Sequence, residues 1–412
     1  MKKIILALAV LLSVHVAGAQ TKAIDDAKKA VEAAKAASQD AKKATKVATW
    51  LKLAEAYVEA YNAPAGSAWV GASKTELQLI MAKERPFSAE EVVVGGEPLM
   101  KESYTARDYY FTPAGQLVMI VVTQPAYADA LDQALEAYKK AYEVDPKQTK
   151  LKDITAGVET VAKKFYDDAM NYYSLEDYSN AAVNFAKAYE ASMTEPFATP
   201  NEDALYNAGF VAWASQDWEA AKKYFEECMA IGYFYENGEV YAKLSDIYAK
   251  LGDKAASVAV LEKGFTAYPQ SQSILIGLIN YYLESGENTD RLFELIAEAK
   301  KNEPDTVSLY YVEGNIHKQL GNTEKAIAAY KECAVVDPNY DFGYHGLGAY
   351  YYDIAVELSE KAAQELDDAK YNALVKEYEQ YLLDAIEPFE KAFAVSKNEQ
   401  VQLNCAEYLK NI

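Results

Sequence analysis

Gly321–Pro338 reads GNTEKAIAAYKECAVVDP, and its spacing of small and aromatic residues is the starting point for predicting the fold. Ala326, Tyr330 and Cys333 are spaced so that they share one face of a helix. Pro338 ends that helix, because proline cannot continue the helical hydrogen-bond pattern. The stretch therefore predicts one helix whose buried face is built from small and aromatic side chains.

A second helix precedes this one and pairs with it. Tyr310, Gly314 and His317 share a helical face by their spacing. Gly321 and Asn322 then interrupt the pattern as a turn. The two helices are expected to form an antiparallel pair with a unit length of about 34 residues.

The same spacing recurs along the chain. Repetition at a fixed period is typical of stacked structural units, because one unit cannot bury its apolar face alone. Three other segments carry a full copy, namely Ala162–Ala191, Asp203–Gly232 and Glu239–Pro269. Gln272–Pro304 carries a weaker copy with one extra residue near the turn.

A copy near the N-terminus is interrupted by an insertion, residues 63–125. Its first helix is expected around Trp50–Tyr57 and its second around Ala134–Ala141. Inside the insertion, Tyr104–Thr123 contains two β-rich runs around a turn, which predicts a hairpin that packs against the helices. The segment Val92–Pro98, VVVGGEP, favours a further short strand or a turn.

The last copy is lengthened rather than interrupted. Its two helices begin at Tyr344–Tyr351 and end at Ala385–Ala392. The intervening Ala355–Leu382 keeps a helical periodicity and contains neither glycine nor proline. We therefore expect both helices to extend into a projecting hairpin.

This pattern resembles the tetratricopeptide repeat (TPR), a pair of helices with a 34-residue period. The resemblance implies an all-α fold, a right-handed α-solenoid of about seven helix pairs. It divides the chain into an N-terminal helix with the first repeat at 20–146, a central array at 147–340 and a last repeat at 341–412. Terminal helices at Thr21–Lys46 and Val401–Leu409 are expected to cap the array.

The N-terminus, MKKIILALAVLLSVHVAGAQ, has the features of a secretory signal peptide. Lys2 and Lys3 precede the apolar run Ile4–Val16, and Ala17–Ala19 supplies a small-residue cleavage site, so the predicted signal peptide is 1–19. The run is shorter than the roughly 18 apolar residues of a membrane-spanning helix. The sequence therefore predicts an exported bacterial protein, periplasmic or secreted, with no membrane insertion.

The charge and the cysteines exclude several functional classes. The net charge of −21 disfavours nucleic acid as a partner, because the surface repels phosphates. Cys228, Cys333 and Cys405 are widely spaced and odd in number, so they indicate neither a disulfide framework nor a metal site, although one disulfide stays open. Cys333 is interpreted as a small core residue, with a Cys333–His317 nucleophile as the alternative. We predict no catalytic residue, metal or cofactor.

The TPR resemblance implies that the first helix of each repeat lines an inner groove. That groove is rich in aromatic residues, which suits an apolar or helical peptide segment; alternatively, the rings pack against neighbouring helices. Cations are absent from the positions where a carboxylate clamp needs them, which argues against that mode. The residues carried over are Tyr166, Met170, Tyr173, Asp203, Tyr206, Phe210, Trp213, Asp246, Ile276, Asn280, Tyr311, Asn315, Lys318, Phe342, His345 and Tyr352.

The expected function is that of an exported, non-catalytic scaffold that binds a protein or peptide partner through this groove. A second hypothesis is a chaperone-like assembly or secretion factor for outer-membrane or secreted proteins. A carbohydrate-binding or enzymatic protein, with its chemistry in the insertion, is less favoured because no catalytic constellation is recognised. The sequence leaves homo-oligomerisation open.

Overall fold

The computed structural model describes residues 22–81, 84–285 and 289–412. Within these ranges the chain forms two compact units, one through Tyr233 and one from Phe234. None of the helices in the described ranges combines the length and the apolar character that crossing a bilayer requires. The predicted signal peptide at 1–19 lies outside the described residues.

The first unit combines helices with one small sheet. Its helices include three pairs, α2 with α4, α5 with α6 and α7 with α8. The elements are α1 (22–38), α2 (Val47–Asn62), α3 (Lys74–Ile80), β1 (Ser88–Val94), β2 (Glu97–Ser103), β3 (Arg107–Phe111), β4 (Leu117–Val122), α4 (Ala130–Glu143), α5 (Leu151–Ser174), α6 (Tyr178–Ser192), α7 (Glu202–Ala214) and α8 (Trp218–Ile231).

The second unit is built from helices. Its pairs are α9 with α10, α11 with α12, α13 with α14 and α15 with α16, and the last helix packs against the final pair. The elements are α9 (Glu239–Lys250), α10 (Lys254–Ala267), α11 (Gln272–Ser285), α12 (Thr289–Asn302), α13 (Val307–Gln319), α14 (Thr323–Val336), α15 (Asp341–Gln364), α16 (Asp368–Val395) and α17 (Glu399–Asn411).

Short turns with one backbone conformation join the two helices of several pairs. Glu176 and Gln216 adopt the positive φ that Gly252 and Gly321 adopt at the matching position. A side-chain oxygen then caps the second helix by accepting a backbone N–H near its start, which satisfies a donor that the helix leaves unpaired. The capping residues are Asp177, Asp217 and Asp253.

The insertion contains more strands and helices than the sequence predicted. It forms a four-stranded antiparallel sheet in the order β1-β2-β3-β4, with α3 beside it. The predicted hairpin corresponds to β3 and β4, whereas Val92–Pro98 spans the turn of a second hairpin, β1 and β2. The sheet is attached to the helices because Tyr109 Oη donates to the carbonyl of Ala65 at 2.7 Å and Asn171 Nδ2 donates to that of Ile120 at 3.2 Å.

The elongated last pair is confirmed. Its helices, α15 and α16, contain 24 and 28 residues and are joined at 365–367. The closing helix α17 contains the predicted Val401–Leu409. The leading helix is shorter than expected, because α1 ends at residue 38 and turns occupy 39–45.

The all-α, helix-pair fold is therefore confirmed, with seven pairs in the described part of the chain. Close contact inside the pairs explains the small residues of the pattern. A Cβ atom on Gly314 would lie 2.7 Å from the ring of Tyr330, and one on Gly209 would lie 3.0 Å from that of Phe225. A larger side chain at either glycine would push the paired helix away.

Candidate protein-binding surface

A pocket between α11 and α13 brings several predicted groove residues together. These are the first helices of consecutive pairs, so their matching positions lie side by side. Ile276, half exposed at 56%, supplies an apolar surface. The pocket, called here the α11–α13 pocket, is lined by Ile276, Ile279, Asn280, Asn315, Lys318 and Gln319.

The Asn315 amide is oriented by a neighbouring tyrosine. Tyr330 Oη donates to Asn315 Oδ1 at 2.6 Å. Because the amide oxygen accepts this bond, the Nδ2 group of Asn315 is the donor presented to a ligand. Burial raises the pKa of Tyr330, so its hydroxyl keeps its proton and stays a donor at neutral pH.

The cation in the pocket is already neutralised. Lys318 Nζ lies 2.6 Å from Asp353 Oδ2 on α15 and 5.4 Å from the centre of the Tyr350 ring. A carboxylate on a ligand would have to compete with Asp353 for this ammonium group. The arrangement therefore favours hydrogen bonding to a neutral backbone over capture of a free carboxylate.

Three aromatic rings cluster at the start of α15. The Tyr311, Tyr340 and Phe342 ring centres lie 5.8–6.1 Å apart. Phe342 is exposed, whereas the other two rings are half-buried. Of the predicted groove positions on this cluster, Phe342 therefore offers the larger accessible surface.

Two predicted groove residues contact the closing helix instead. The His345 ring lies 6.2 Å from that of Tyr408, and the Tyr352 ring lies 5.1 Å from it. Burial lowers the pKa of His345. The packing of α17 over this face makes both side chains half-buried, so their contribution to a groove is limited.

In the first unit, the predicted groove residues on α5 are partly accessible. Tyr166 packs edge-on against Phe185 at 5.3 Å between ring centres. Met170 and Tyr173 are exposed. These two side chains form the accessible part of the predicted surface on α5.

On α7 the expectation of an exposed aromatic row is wrong for Tyr206, which is only 5% exposed. Its ring packs against Phe225 of α8 at 5.6 Å and stacks on Phe210 at 6.3 Å. Phe210 and Trp213 are half-buried and lie 6.0 Å apart. The physical reason is that α7 is apolar on most of its circumference, so Tyr206 completes the core between the paired helices.

The remaining predicted position on α7, Asp203, is exposed and accepts a hydrogen bond from Tyr233 Oη. Asp246 on α9 is half-buried. Neither lies among the residues of the α11–α13 pocket.

The three cysteines are free and buried. Burial raises the pKa of Cys333 to about 12, opposite to the lowered pKa of a nucleophilic thiol. His317 stacks on Phe293 at 4.5 Å between ring centres, and burial lowers its pKa. The geometry supports the interpretation of both residues as core. Among the described residues no group of three or more His, Cys, Asp or Glu side chains is arranged to hold a metal ion.

Two segments of the second unit match a known repeat. Residues 238–271 and 307–340 match the family model described as tetratricopeptide repeat. These segments are tetratricopeptide repeats. They contain the pairs α9–α10 and α13–α14, so one TPR supplies Asn315 and Lys318 of the pocket. The TPR fold implies protein partners, and TPR proteins are generally non-catalytic scaffolds.

Solved TPR structures resemble parts of the chain. A TPR repeats protein from Bacteroides fragilis NCTC 9343 is 18% identical over 61% of this chain and 99% of its own length, with a TM-score of 0.28. A tetratricopeptide repeat protein from Parabacteroides merdae ATCC 43184 is 15% identical over 60% and 97%, with a TM-score of 0.34. Scores this low carry no argument about function. No curated protein matches the sequence.

Some TPR groove features had no clear sequence signal. The family positions pointed to Ile276, Asn280, Asn315 and Lys318, but Ile279 and Gln319 were not predicted. The hydrogen bond from Tyr330 to Asn315 was not predicted either, because the sequence pattern indicates only that the Tyr330 ring is buried between the paired helices. Its hydroxyl was the available signal, since a buried tyrosine hydroxyl usually finds a partner.

Proposed function

We propose that this protein is an exported, non-catalytic scaffold that binds a peptide segment of a protein partner in the α11–α13 pocket. The observation that carries the proposal is the presence of Asn280 and the pre-oriented Asn315 beside the exposed Ile276. An asparagine amide both donates and accepts, so two of them suit the alternating N–H and C=O groups of a peptide backbone. Ile276 supplies the apolar contact.

The chemistry of the pocket favours an internal segment over a chain terminus. A terminal carboxylate would need an available cation, whereas Lys318 is bound to Asp353 at 2.6 Å. The exposed Phe342 and the half-buried Tyr311 extend the apolar character of the same unit, as expected for a surface that takes an apolar peptide side chain.

The proposal that the protein is exported depends on the N-terminal sequence features alone. Those features also favour the second candidate, an assembly or secretion factor of the cell envelope. Fusion of residues 1–21 to a reporter enzyme that is active only outside the cytoplasm tests export. Reporter activity is expected, and its absence would overturn the exported part of the proposal.

Peptide selection tests the pocket. Peptides displayed on phage are selected on the full chain, and their dissociation constants are then measured by fluorescence anisotropy. Asn315→Ala and Tyr330→Phe are expected to weaken binding about tenfold, because one removes the amide and the other its orienting bond. Asn372→Ala, an exposed asparagine on α16, is the matched control and should bind as the parent does.

If Asn315→Ala and Ile276→Ala bind the selected peptides as tightly as Asn372→Ala does, the pocket is not the binding site. Circular dichroism of each variant separates a lost contact from a lost fold.

A further inference from the structure

The two edges of the sheet in the insertion differ. Along β4, Leu117 both donates to the carbonyl of Ala72 at 2.8 Å and accepts from the N–H of Gly71 at 2.7 Å. Further along the same strand, the carbonyl of Ile120 accepts a hydrogen bond from the side chain of Asn171. This edge is therefore closed by other parts of the first unit.

β1 is the other outer strand of the sheet, and no described residue pairs with its outer edge. Val94 and Glu97 flank the two-residue turn Gly95–Gly96, in which both glycines have positive φ. Such a turn makes its flanking residues a hydrogen-bonded pair. The backbone N–H and C=O groups of Val94, and of every second residue before it in β1, therefore hydrogen-bond to β2.

The intervening residues of β1 point their backbone groups outwards. These residues are Ala89, Glu91 and Val93, which alternate with the bonded positions. In the described part of the chain, no backbone hydrogen bond to another element is found for these three outward amides. A strand edge of this kind is a template for pairing with another chain.

The side chains along this edge combine apolar and acidic character. Val93 is 73% exposed, and Phe87, which precedes the strand, is 74% exposed. Glu90 lies 3.4 Å from Lys101 of β2. Glu91 is exposed, and no ion pair to it occurs in the described ranges. An added strand would thus meet one uncompensated carboxylate next to one exposed valine.

We propose that β1 accepts an added strand from another protein: an extended segment with lysine or arginine opposite Glu91 and an apolar residue opposite Val93. Main-chain bonds to the outward amides supply affinity, and the two cross-strand pairs supply selectivity. The net charge of −21 favours approach of a basic segment.

A second copy of this chain fits the edge poorly. Antiparallel pairing of two β1 strands centred on Glu91 would bring two carboxylates opposite each other, which is unfavourable. The acidic surfaces of two identical chains add further repulsion. This surface does not include the α11–α13 pocket, so the proposal stands or falls independently of the proposed function.

The probe for this edge is a fluorescein-labelled peptide, Lys-Thr-Val-Thr-Lys-Thr-Val, blocked at both ends. Its lysines and valines lie two residues apart on one face of an extended strand, so they can oppose Glu91 and Val93 together. Its binding to the full chain is measured by anisotropy. A second peptide has the same sequence but carries N-methyl groups along one edge, which removes donors without changing charge. The plain peptide should bind about tenfold more tightly than the methylated one. It should also slow amide hydrogen exchange in residues 88–94, measured by mass spectrometry.

Two variants test the residues. Val93→Pro removes an outward donor without breaking a bond to β2, and Glu91→Lys reverses the charge of the edge. Each should weaken binding about tenfold while circular dichroism stays unchanged. Glu379→Lys on α16 makes the same change in net charge at an exposed site in the second unit and should leave binding near the parent value.

The proposal is overturned if the methylated peptide binds equally well, or if residues 88–94 gain no protection. It is also overturned if sedimentation equilibrium shows a dimer of the parent that Val93→Pro dissociates, since a second copy would then be the occupant.

Discussion

Asp168 on α5 is a half-buried carboxyl whose surroundings are set by α2. It accepts a hydrogen bond from Tyr61 Oη at 2.7 Å. Lys164, one turn earlier, donates to Asn62 Oδ1 at 2.7 Å and lies 4.9 Å from the Tyr61 ring. Burial raises the pKa of Asp168 from 3.8 to about 6, partly offset by Tyr61 and Lys164. The carboxyl therefore binds its proton more tightly in the folded state than in the unfolded one.

A pH dependence of stability follows from this shift. The stabilisation by Asp168 is complete below about pH 4 and is lost as the pH rises through about 6, because the folded state must then ionise a half-buried group. Asp168→Asn keeps the acceptor for Tyr61 but does not titrate. Its free energy of unfolding relative to the parent should therefore rise by about 2 kcal/mol between pH 4 and pH 7.

Urea denaturation at several pH values checks this prediction. Asp167→Asn, an exposed neighbour on the same helix, is the matched control and should change much less with pH. If the free energies of unfolding of Asp168→Asn and the parent differ by the same amount from pH 4 to pH 7, Asp168 does not have a raised pKa in the folded state.

At the scale of elements, the contact between α4 and α5 depends on a glycine. A Cβ atom at Gly157 would lie 2.2 Å from Cζ of Tyr138, far inside van der Waals contact. Alanine normally stabilises a helix by about 1 kcal/mol relative to glycine. Here the clash outweighs that gain, because the buried tyrosine ring has little room to move.

Gly157→Ala should therefore lower the free energy of unfolding by about 1–3 kcal/mol, measured by urea denaturation. Ala156→Gly, at the adjacent exposed position, measures the difference in helix propensity between alanine and glycine in α5. It should lower the free energy of unfolding by about 1 kcal/mol. Combining Gly157→Ala with Tyr138→Leu should cost less than the sum of the single changes. Full additivity would show that the Tyr138 ring is not the obstacle.

The helix pairs were predictable because each one repeats a local pattern. The sheet was harder, because β1 has no apolar alternation that marks one buried face. The short helix α3 was not predicted, although Ser73 and Glu76 form a capping box that its sequence displays. Tyr206 was misjudged as accessible, because its burial depends on Phe225 in another helix. His345 is half-buried, and its packing likewise depends on Tyr408 of another helix.

At the scale of the whole molecule, net charge opposes compaction. The chain has 41 basic and 62 acidic residues, a net charge of −21. Many of its ion pairs join residues three or four positions apart on one helix, such as Lys139 and Glu136. Exposed pairs of this kind add little to the stability of the folded protein. Screening by salt should therefore remove more repulsion than attraction.

We expect the thermal unfolding midpoint at pH 7 to rise by roughly 2–4 °C between low and moderate sodium chloride, followed by circular dichroism. Near pH 4.7, the isoelectric point of the sequence, the net charge vanishes and the same salt change should have little effect. A midpoint that falls with salt at pH 7 would show that attractive ion pairs dominate.

The separation of α2 from its partner α4 by the whole insertion affects how the chain folds as it is made. During synthesis α2 leaves the ribosome well before α4, and the strands emerge in the interval. The face of α2 that carries Leu53 and Tyr57, both buried in the finished protein, stays exposed until α4 arrives. We therefore expect the nascent chain to offer a chaperone that recognises apolar helices a binding site that is covered in the finished structure.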